Sequence, residues 1–349
     1  MNPLVSILIP AYNAEKCISQ TLRSAVQQDY PRKEVILVND GSSDGTLAIA
    51  KTFASSAVKI IDQANAGGPA ARNKALAHAQ GEYIQWLDHD DLLAPNKISA
   101  QVREWEEVQD DRVLFSCPFA TFYYRIGKAR LFESPLFQDL APLDYFFIKF
   151  SKNTYFQSSC WLVSRKLTDL AGPWWEVRSP DDDGEYFCRV VAVSRGIRFV
   201  PEAKCYWRVG NSGSFSRAWQ KSSSALESTF ESICRSIEHF RSLADNDTSR
   251  VACVKFLQDR LFIFYPERPD IVKRMNTLAA ALGGALQPPV LKWKYRWISA
   301  IFGWAVAKRA AMASTDFRTA IERTWDQLMY RAGSRCRRNL ACEDQGVRK

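Results

Sequence analysis

The first ninety residues alternate short apolar runs with amphipathic and polar stretches at a steady pace. Val5-Ser6-Ile7-Leu8-Ile9 reads as a buried strand and Pro10 to Asn13 as a turn. The pattern then predicts a helix from Ala14 to Gln28 and a second strand from Glu34 to Val38. A Gly/Ser-rich turn follows from Asn39 to Gly45, and then a helix ending near Ser55. Val58 to Ile61 reads as a third strand, Asn65 to Pro69 as a loop, Ala70 to Ala79 as a helix, and Tyr83 to Leu87 as a fourth strand after the break at Gly81. Strands and helices alternating at these lengths imply an α/β domain with a mostly parallel sheet and helices on both faces. Ligands of such sheets bind beyond the carboxyl ends of the strands. Polar clusters fall at those ends: Pro10 to Asn13, Asp40 to Asp44, Asp62, and Asp88 to Asp91. One such cluster is an ordinary solvated turn; their joint placement at one edge marks a candidate site.

Two acidic groups carry the chemistry. Trp86-Leu87-Asp88-His89-Asp90-Asp91 sets three acids at the end of a buried strand. Like charges this close raise each other's pKa unless a cation compensates them. A hard divalent ion, Mg²⁺ or Mn²⁺, takes such carboxylate oxygens. An N-cap role for Asp91, ahead of a helix over the following residues, accounts for one acid and leaves two. The second group, Asp181-Asp182-Asp183-Gly184-Glu185, precedes Tyr186 to Val191, which reads as a helix. Acids at a helix start are favoured by its dipole, and the same position can hold a general base in place.

Five segments in order resemble the family 2 glycosyltransferases of GT-A fold. They are Val5 to Asn13, Val38 to Thr46, Asn65 to Asn73, Gly81 to Asp91 and Asp182 to Arg189. The resemblance covers roughly residues 1–215. It implies transfer of a sugar from a nucleotide donor, usually UDP-linked, to an acceptor hydroxyl with inversion at the anomeric carbon. It implies a donor site that includes Pro10, Ala11, Tyr12 and Asn13, with Tyr12 near the base, Asp40 accepting a hydrogen bond from the base, and Arg72 near the base or diphosphate. Asp88 and Asp90 match the DXD motif, with Asp90 and Asp88 as ligands of Mn²⁺ or Mg²⁺ and Asp91 supporting the loop. Asp183 matches the position of the general base. Asp182 stands where many relatives carry Glu, which leaves open which of Asp181, Asp182 and Asp183 is the base. Trp174 and Trp175, shortly before that cluster, are candidate acceptor contacts, since aromatic rings stack on sugars.

Composition extends the picture to the rest of the chain. With 349 residues, 46% hydrophobic and 24% charged, it excludes a disordered, collagen-like or disulfide-stapled protein. Residues 1–215 hold 24 Lys/Arg against 25 Asp/Glu, whereas 216–349 hold 23 against 13, so the whole basic excess lies in the second part. The boundary is drawn at the run Gly210 to Ser214: a GT-A nucleotide-sugar-binding and catalytic domain over 1–215, then a mainly helical basic region over 216–349. Nine scattered cysteines without a CxxC, and three histidines, argue against a zinc site and fit a reducing compartment. No apolar run reaches the length of a membrane span or resembles a signal peptide, so a cytoplasmic protein is expected. Trp293, Trp297 and Trp304, with Lys and Arg around a short apolar stretch, suit an interfacial helix on the cytoplasmic face of an anionic membrane, or alternatively an oligomer contact or a core helix. The stretch from Arg331 to Lys349 reads as a loose basic end. No nucleic-acid-binding motif accompanies the charge.

Together these features point to an enzyme of surface glycan, polysaccharide or lipid-linked oligosaccharide assembly. The competing reading is a catalytically inactive nucleotide-sugar-binding scaffold at the membrane surface. A nucleotidyltransferase would need a Gly-rich basic loop after the first strand, and Pro10 to Asn13 is neither.

Overall fold

The computed structural model describes residues 2–210 and 222–346. In chain order the elements begin β1 (Val5–Ala11), α1 (Ile18–Val26), β2 (Lys33–Asp40), α2 (Thr46–Lys51), β3 (Val58–Gln63), α3 (Gly68–His78) and β4 (Tyr83–Trp86). They continue with β5 (Leu92–Leu93), α4 (Lys97–Val108), β6 (Val113–Ser116), β7 (Phe119–Phe122), β8 (Arg130–Leu131), α5 (Pro142–Lys152), β9 (Val163–Ser164) and α6 (Arg165–Ala171). Then come α7 (Asp182–Val193), β10 (Gly196–Phe199), β11 (Cys205–Arg208), α8 (Ser223–Leu243), α9 (Asp247–Phe264), α10 (Pro269–Ala281), α11 (Trp293–Phe302) and α12 (Trp304–Gly346).

The chain divides into two compact units. The first is Met1–Phe119, Phe132–Trp207 and Phe215–Pro289. Its main sheet has the order β3-β2-β1-β4-β9, with β9 antiparallel to β4 and the other pairs parallel. Every residue of β1 is buried, as its run of apolar side chains requires of a central strand. The register sets the site. Ala11 lies opposite Asn39, Asn39 opposite Asp62, and Leu8 opposite Trp86. Tyr12, Asp40 and the segment from Asp88 onward therefore leave the sheet at one edge, as the pattern of strand ends predicts.

Two expectations change here. The helix predicted directly after Asp91 begins only at Lys97, because Leu92 and Leu93 pair antiparallel with Tyr206 and Cys205. Asp91 is therefore no N-cap. The boundary expected at residue 215 also moves, since α8, α9 and α10 belong to the first unit. The reason is aromatic. Phe146 of α5 stacks on Phe240 of α8 at 5.1 Å, and Phe150 stacks on Phe256 of α9 at 4.1 Å, so these helices cover rings that water would otherwise wet. The linker run itself, after Gly210, lies outside the described residues.

The second unit is Ala120–Leu131, Arg208–Ser214 and Val290–Lys349. Ala120 pairs with Leu131 and Thr121 with Arg130 in a short antiparallel ladder. Asp326 of α12 accepts hydrogen bonds from the backbone N–H of Tyr124 (2.9 Å) and Arg125 (3.0 Å) and from Arg125 Nε (2.6 Å). Gly303, at φ +82°, ends α11 and turns the chain into α12. α12 continues to Gly346, so the segment after Arg331 is helical over the described residues instead of a loose end. Among the described residues, no helix is long and apolar enough to cross a membrane.

Candidate active site

Two loops at the carboxyl edge of the sheet are tied together by short polar side chains. Asn13, at φ +48°, accepts a hydrogen bond at Oδ1 from the backbone N–H of Ser43 (2.9 Å), and its own N–H donates to Ser42 Oγ (3.0 Å). The carboxylate of Asp44 accepts from Glu15 N (3.1 Å), Thr46 N (3.0 Å) and Thr46 Oγ1 (2.5 Å). Burial works against the charge of Asp44, and the hydrogen bonds from Thr46 and Glu15 overcome it, so its pKa falls below the ordinary value. Pro10 and Ala11 are buried at the end of β1, while Tyr12 is 47% exposed above them.

Asp40 has its carboxylate buried at the end of β2. Oδ1 accepts from Gln63 Nε2 and from the N–H of Ala66, each at 2.8 Å, and Oδ2 accepts from the N–H of Gly67, also at 2.8 Å. It thereby shapes the loop that leads into α3. Gly67, at φ +101°, holds a backbone conformation that other residues rarely adopt, and a Cβ there would press on the Arg178 side chain.

Arg72 joins the two acidic groups. It is nearly buried in α3. Its Nη2 donates to Asp88 Oδ1 at 2.8 Å and its Nη1 to Asp182 Oδ2 at 2.9 Å. Its guanidinium lies 4.4 Å from the centre of the Trp174 ring. Burial opposes the charge on Arg72, but Asp182 and Asp88 overcome that and raise its pKa further above the ordinary arginine value. Next to it, Asn73 accepts from the Trp174 N–H (2.8 Å) and donates to the Trp174 carbonyl (2.9 Å), pinning the segment that leads to α7.

Asp183 sits in the first turn of α7. Its Oδ2 accepts from Ser158 Oγ at 3.2 Å. Burial first, and then the neighbouring charges of Asp182, Asp181 and Asp88, push its pKa up to about 7, with Arg72 working in the opposite direction. Burial also raises the pKa of Asp182, again against the pull of Arg72. A carboxyl group that titrates near neutrality can take a proton from a hydroxyl group and release it again. A Cβ at 184 would crowd the Asp181 carboxylate, which would have to shift.

Asp88 and Asp90 are half-buried at the end of β4, whereas Asp91 is fully buried behind them and accepts from Gln157 Nε2 at 2.5 Å. Carboxylate oxygens such as those of Asp88 and Asp90 are of the kind that Mg²⁺ and Mn²⁺ take, and Asp88 Oδ1 already accepts from Arg72. The cysteines hold a different group. The Sγ atoms of Cys117, Cys160 and Cys205 lie within 4.8 Å of one another in the core. This grouping was not visible in their scattered positions along the chain. Burial lowers the pKa of the neighbouring, fully buried Lys97, and the three sulfurs work against that shift.

Trp174 is a core residue and not a surface for an acceptor ring. It is buried, stacked at 3.9 Å on Tyr186, and set edge-on to Trp86 at 5.2 Å. Trp175 is half-buried, with Arg235 at 4.0 Å over its ring. Gln157 and Ser158 reach the acidic groups without belonging to any motif in the sequence. Nothing in their spacing announces them, because they come from the segment between α5 and β9.

Residues 6–170 match the family described as glycosyl transferase family 2. A glycosyltransferase of Rickettsia typhi is 37% identical over 118 residues, 34% of this chain and 37% of its own. A Bacillus subtilis protein assigned to teichuronic acid biosynthesis as the glycosyltransferase TuaG is 36% identical over 147 residues, 41% of this chain and 52% of its own. The chain thus spans between about a third and a half of the length of these curated relatives. The crystal structure of residues 1–349 of S. aureus TarS in complex with UDP has a TM-score of 0.57 at 19% identity, over 85% of this chain and 79% of that one. The same protein in complex with UDP-GlcNAc gives 0.57 at 17% identity, over 83% and 95%. At such identity the likeness is one of fold, and the fold is of GT-A type.

Proposed function

Since residues 6–170 match the glycosyl transferase family 2 model, we propose that the chain is an inverting, metal-dependent glycosyltransferase. It moves a sugar from a nucleotide-sugar donor, UDP-linked in the favoured reading, to an acceptor hydroxyl in surface glycan, polysaccharide or lipid-linked oligosaccharide assembly. The observation that carries this reading is the convergence on Arg72 of the acids after β4 and the acids that open α7. Donor-side carboxylates and a carboxyl group titrating near 7 are thereby held in one site.

The chain's own groups account for each need of the reaction. Tyr12, Asn13, Asp40 and the loop it holds offer a rim for the nucleoside. Asp88 and Asp90 supply oxygen ligands for Mg²⁺ or Mn²⁺, which when bound offsets the negative charge gathering on the departing diphosphate. Arg72 adds a fixed positive charge that needs no reorganisation. The acceptor oxygen forms its bond to the anomeric carbon as the bond to the diphosphate oxygen breaks. Asp183 removes the hydroxyl proton during that attack. A single base and direct displacement invert the anomeric centre.

The exposed side chains of α11 and α12 suit work at a lipid surface. Trp293 is 82% exposed and Trp297 59%, one turn apart, with Lys292, Lys294 and Arg296 around them. Aromatic rings at headgroup depth and cations on anionic lipid are the usual means of such docking, here to a cytoplasmic leaflet. The test of the whole reading is a thermal-shift series with UDP- and GDP-sugars, each with and without Mn²⁺, followed by nucleotide-release assays. A metal-dependent rise in melting temperature with one donor, together with release of its nucleotide, supports it. Binding without any release favours the scaffold. No binding by folded protein removes the donor site altogether.

A further inference from the structure

We propose that the Gln157–Ser158 turn is a positioning element of this site, with Gln157 fixing the carboxylates of Asp88 and Asp91, and Ser158 fixing that of Asp183. The inference rests on the glycosyltransferase reading of the site and adds residues that no motif of the sequence contains.

The hydrogen bonds leave the turn one orientation. Gln157 Oε1 accepts from the backbone N–H of Ser159 at 2.5 Å and from Ser159 Oγ. A backbone N–H can only donate, so the atom facing it is the amide oxygen, and the NH₂ group must face the acids. That group donates to Asp91 Oδ2 at 2.5 Å and approaches Asp88 Oδ2 at 3.4 Å. Asp91 has no exposed surface, so its carboxyl oxygens depend on protein donors. One residue on, Ser158 Oγ donates to Asp183 Oδ2 at 3.2 Å, while the N–H of Gly184 donates to Oδ1 at 2.9 Å.

The turn is itself held from below. Gln85 Nε2 donates to the Ser159 carbonyl and Gln101 Nε2 to the Cys160 carbonyl, each at 3.0 Å, and Gln157 and Ser158 are both buried. Asp88 and Asp91 arrive on the loop after β4, and Asp183 arrives on α7. Their spacing is therefore set by neither element alone. A displacement reaction aligns leaving group and attacking hydroxyl to within roughly half an ångström, which calls for a rigid part that touches both sides. The Gln157–Ser158 turn is that part.

The test uses the full chain with Gln157→Met, Ser158→Ala and Ser158→Thr. Melting temperature, affinity for UDP with Mn²⁺ by calorimetry, and steady-state release of UDP from UDP-GlcNAc are measured for each. Loss of a hydrogen bond to a charged group corresponds to a change of about tenfold or more. Gln157→Met is expected to weaken UDP binding and raise the donor KM about tenfold with a smaller change in kcat. Ser158→Ala is expected to leave UDP affinity unchanged and lower kcat about tenfold, with Ser158→Thr restoring most of it. Two results overturn the positioning role while leaving the functional reading intact. One is wild-type UDP affinity in Gln157→Met with wild-type kcat in Ser158→Ala. The other is losses that follow a falling melting temperature alike in all three variants. If the unaltered protein neither binds UDP nor turns over the donor, the glycosyltransferase reading fails first, and this proposal fails with it.

Discussion

Replacing Arg72 with Met removes a guanidinium that touches both acidic clusters and leaves a side chain of similar length. The hydrogen bonds lost are those to Asp88 at 2.8 Å and Asp182 at 2.9 Å, together with the contact over Trp174. Taking away one partner of a buried ion pair costs about 3–5 kcal/mol, because the other charge stays behind. The side chains of Asp88 and Asp182 are 27% and 19% exposed, so water takes up part of that loss. A net destabilisation of about 3 kcal/mol follows, or roughly 1 M in the urea midpoint at the slopes usual for chains of this size. The pH dependence is the sharper test. Asp182 and Asp183 already have raised pKa values in the folded protein, and without Arg72 both rise further. A group whose folded pKa is raised adds stability below its unfolded pKa and loses it as pH climbs through the folded value. The deficit of the variant against the parent should therefore be small near about pH 5.5 and grow toward about pH 8. Urea unfolding followed by tryptophan fluorescence at both pH values measures it. An equal deficit at both would refute the electrostatic coupling and leave only lost packing.

Asp183→Asn should keep UDP binding and melting temperature while lowering transfer by about 10²–10⁴-fold, the usual contribution of a general base. In the parent, activity should rise with pH through a limb near 7, because the group acts as base only when deprotonated; a flat profile from about pH 5 to 8 would speak against Asp183. Gly184→Ala puts a methyl group 2.4 Å from the Asp181 carboxylate and should lower stability by about 1–3 kcal/mol, read from denaturant midpoints. Anionic vesicles at low salt should sediment the protein, and a Trp293→Ala, Trp297→Ala double variant should stay in the supernatant. Equal sedimentation of both, or a change in oligomeric state instead, would move this face to another role.

The sequence by itself determined the first four strands, a mostly parallel sheet and the edge at which their polar ends gather. Each of those signals is local: an apolar run, a glycine break, a cluster of acids at a strand end. The acids at 88–91 and 181–183, with Asp40, were legible for the same reason, whereas Arg72 stood out only through the resemblance to a family. What only the tertiary structure decided are the relations between segments far apart in the chain. Trp174 reads as an acceptor contact beside the acids, but folding stacks it on Tyr186 beneath Arg72. Leu92 and Leu93 read as the start of a helix, but pairing with Tyr206 and Cys205, more than a hundred residues further on, makes them a strand. The helices from 223 to 281 share the composition of the tail, yet the rings of Phe146 and Phe150 claim them for the first unit. Gln157 and Ser158 carry no pattern of their own; their place beside Asp88, Asp91 and Asp183 exists only once β4, α7 and the intervening segment have packed. Propensity and periodicity reach a few residues along the chain. Burial and buried charge are settled between elements, and that is where the candidate site is assembled.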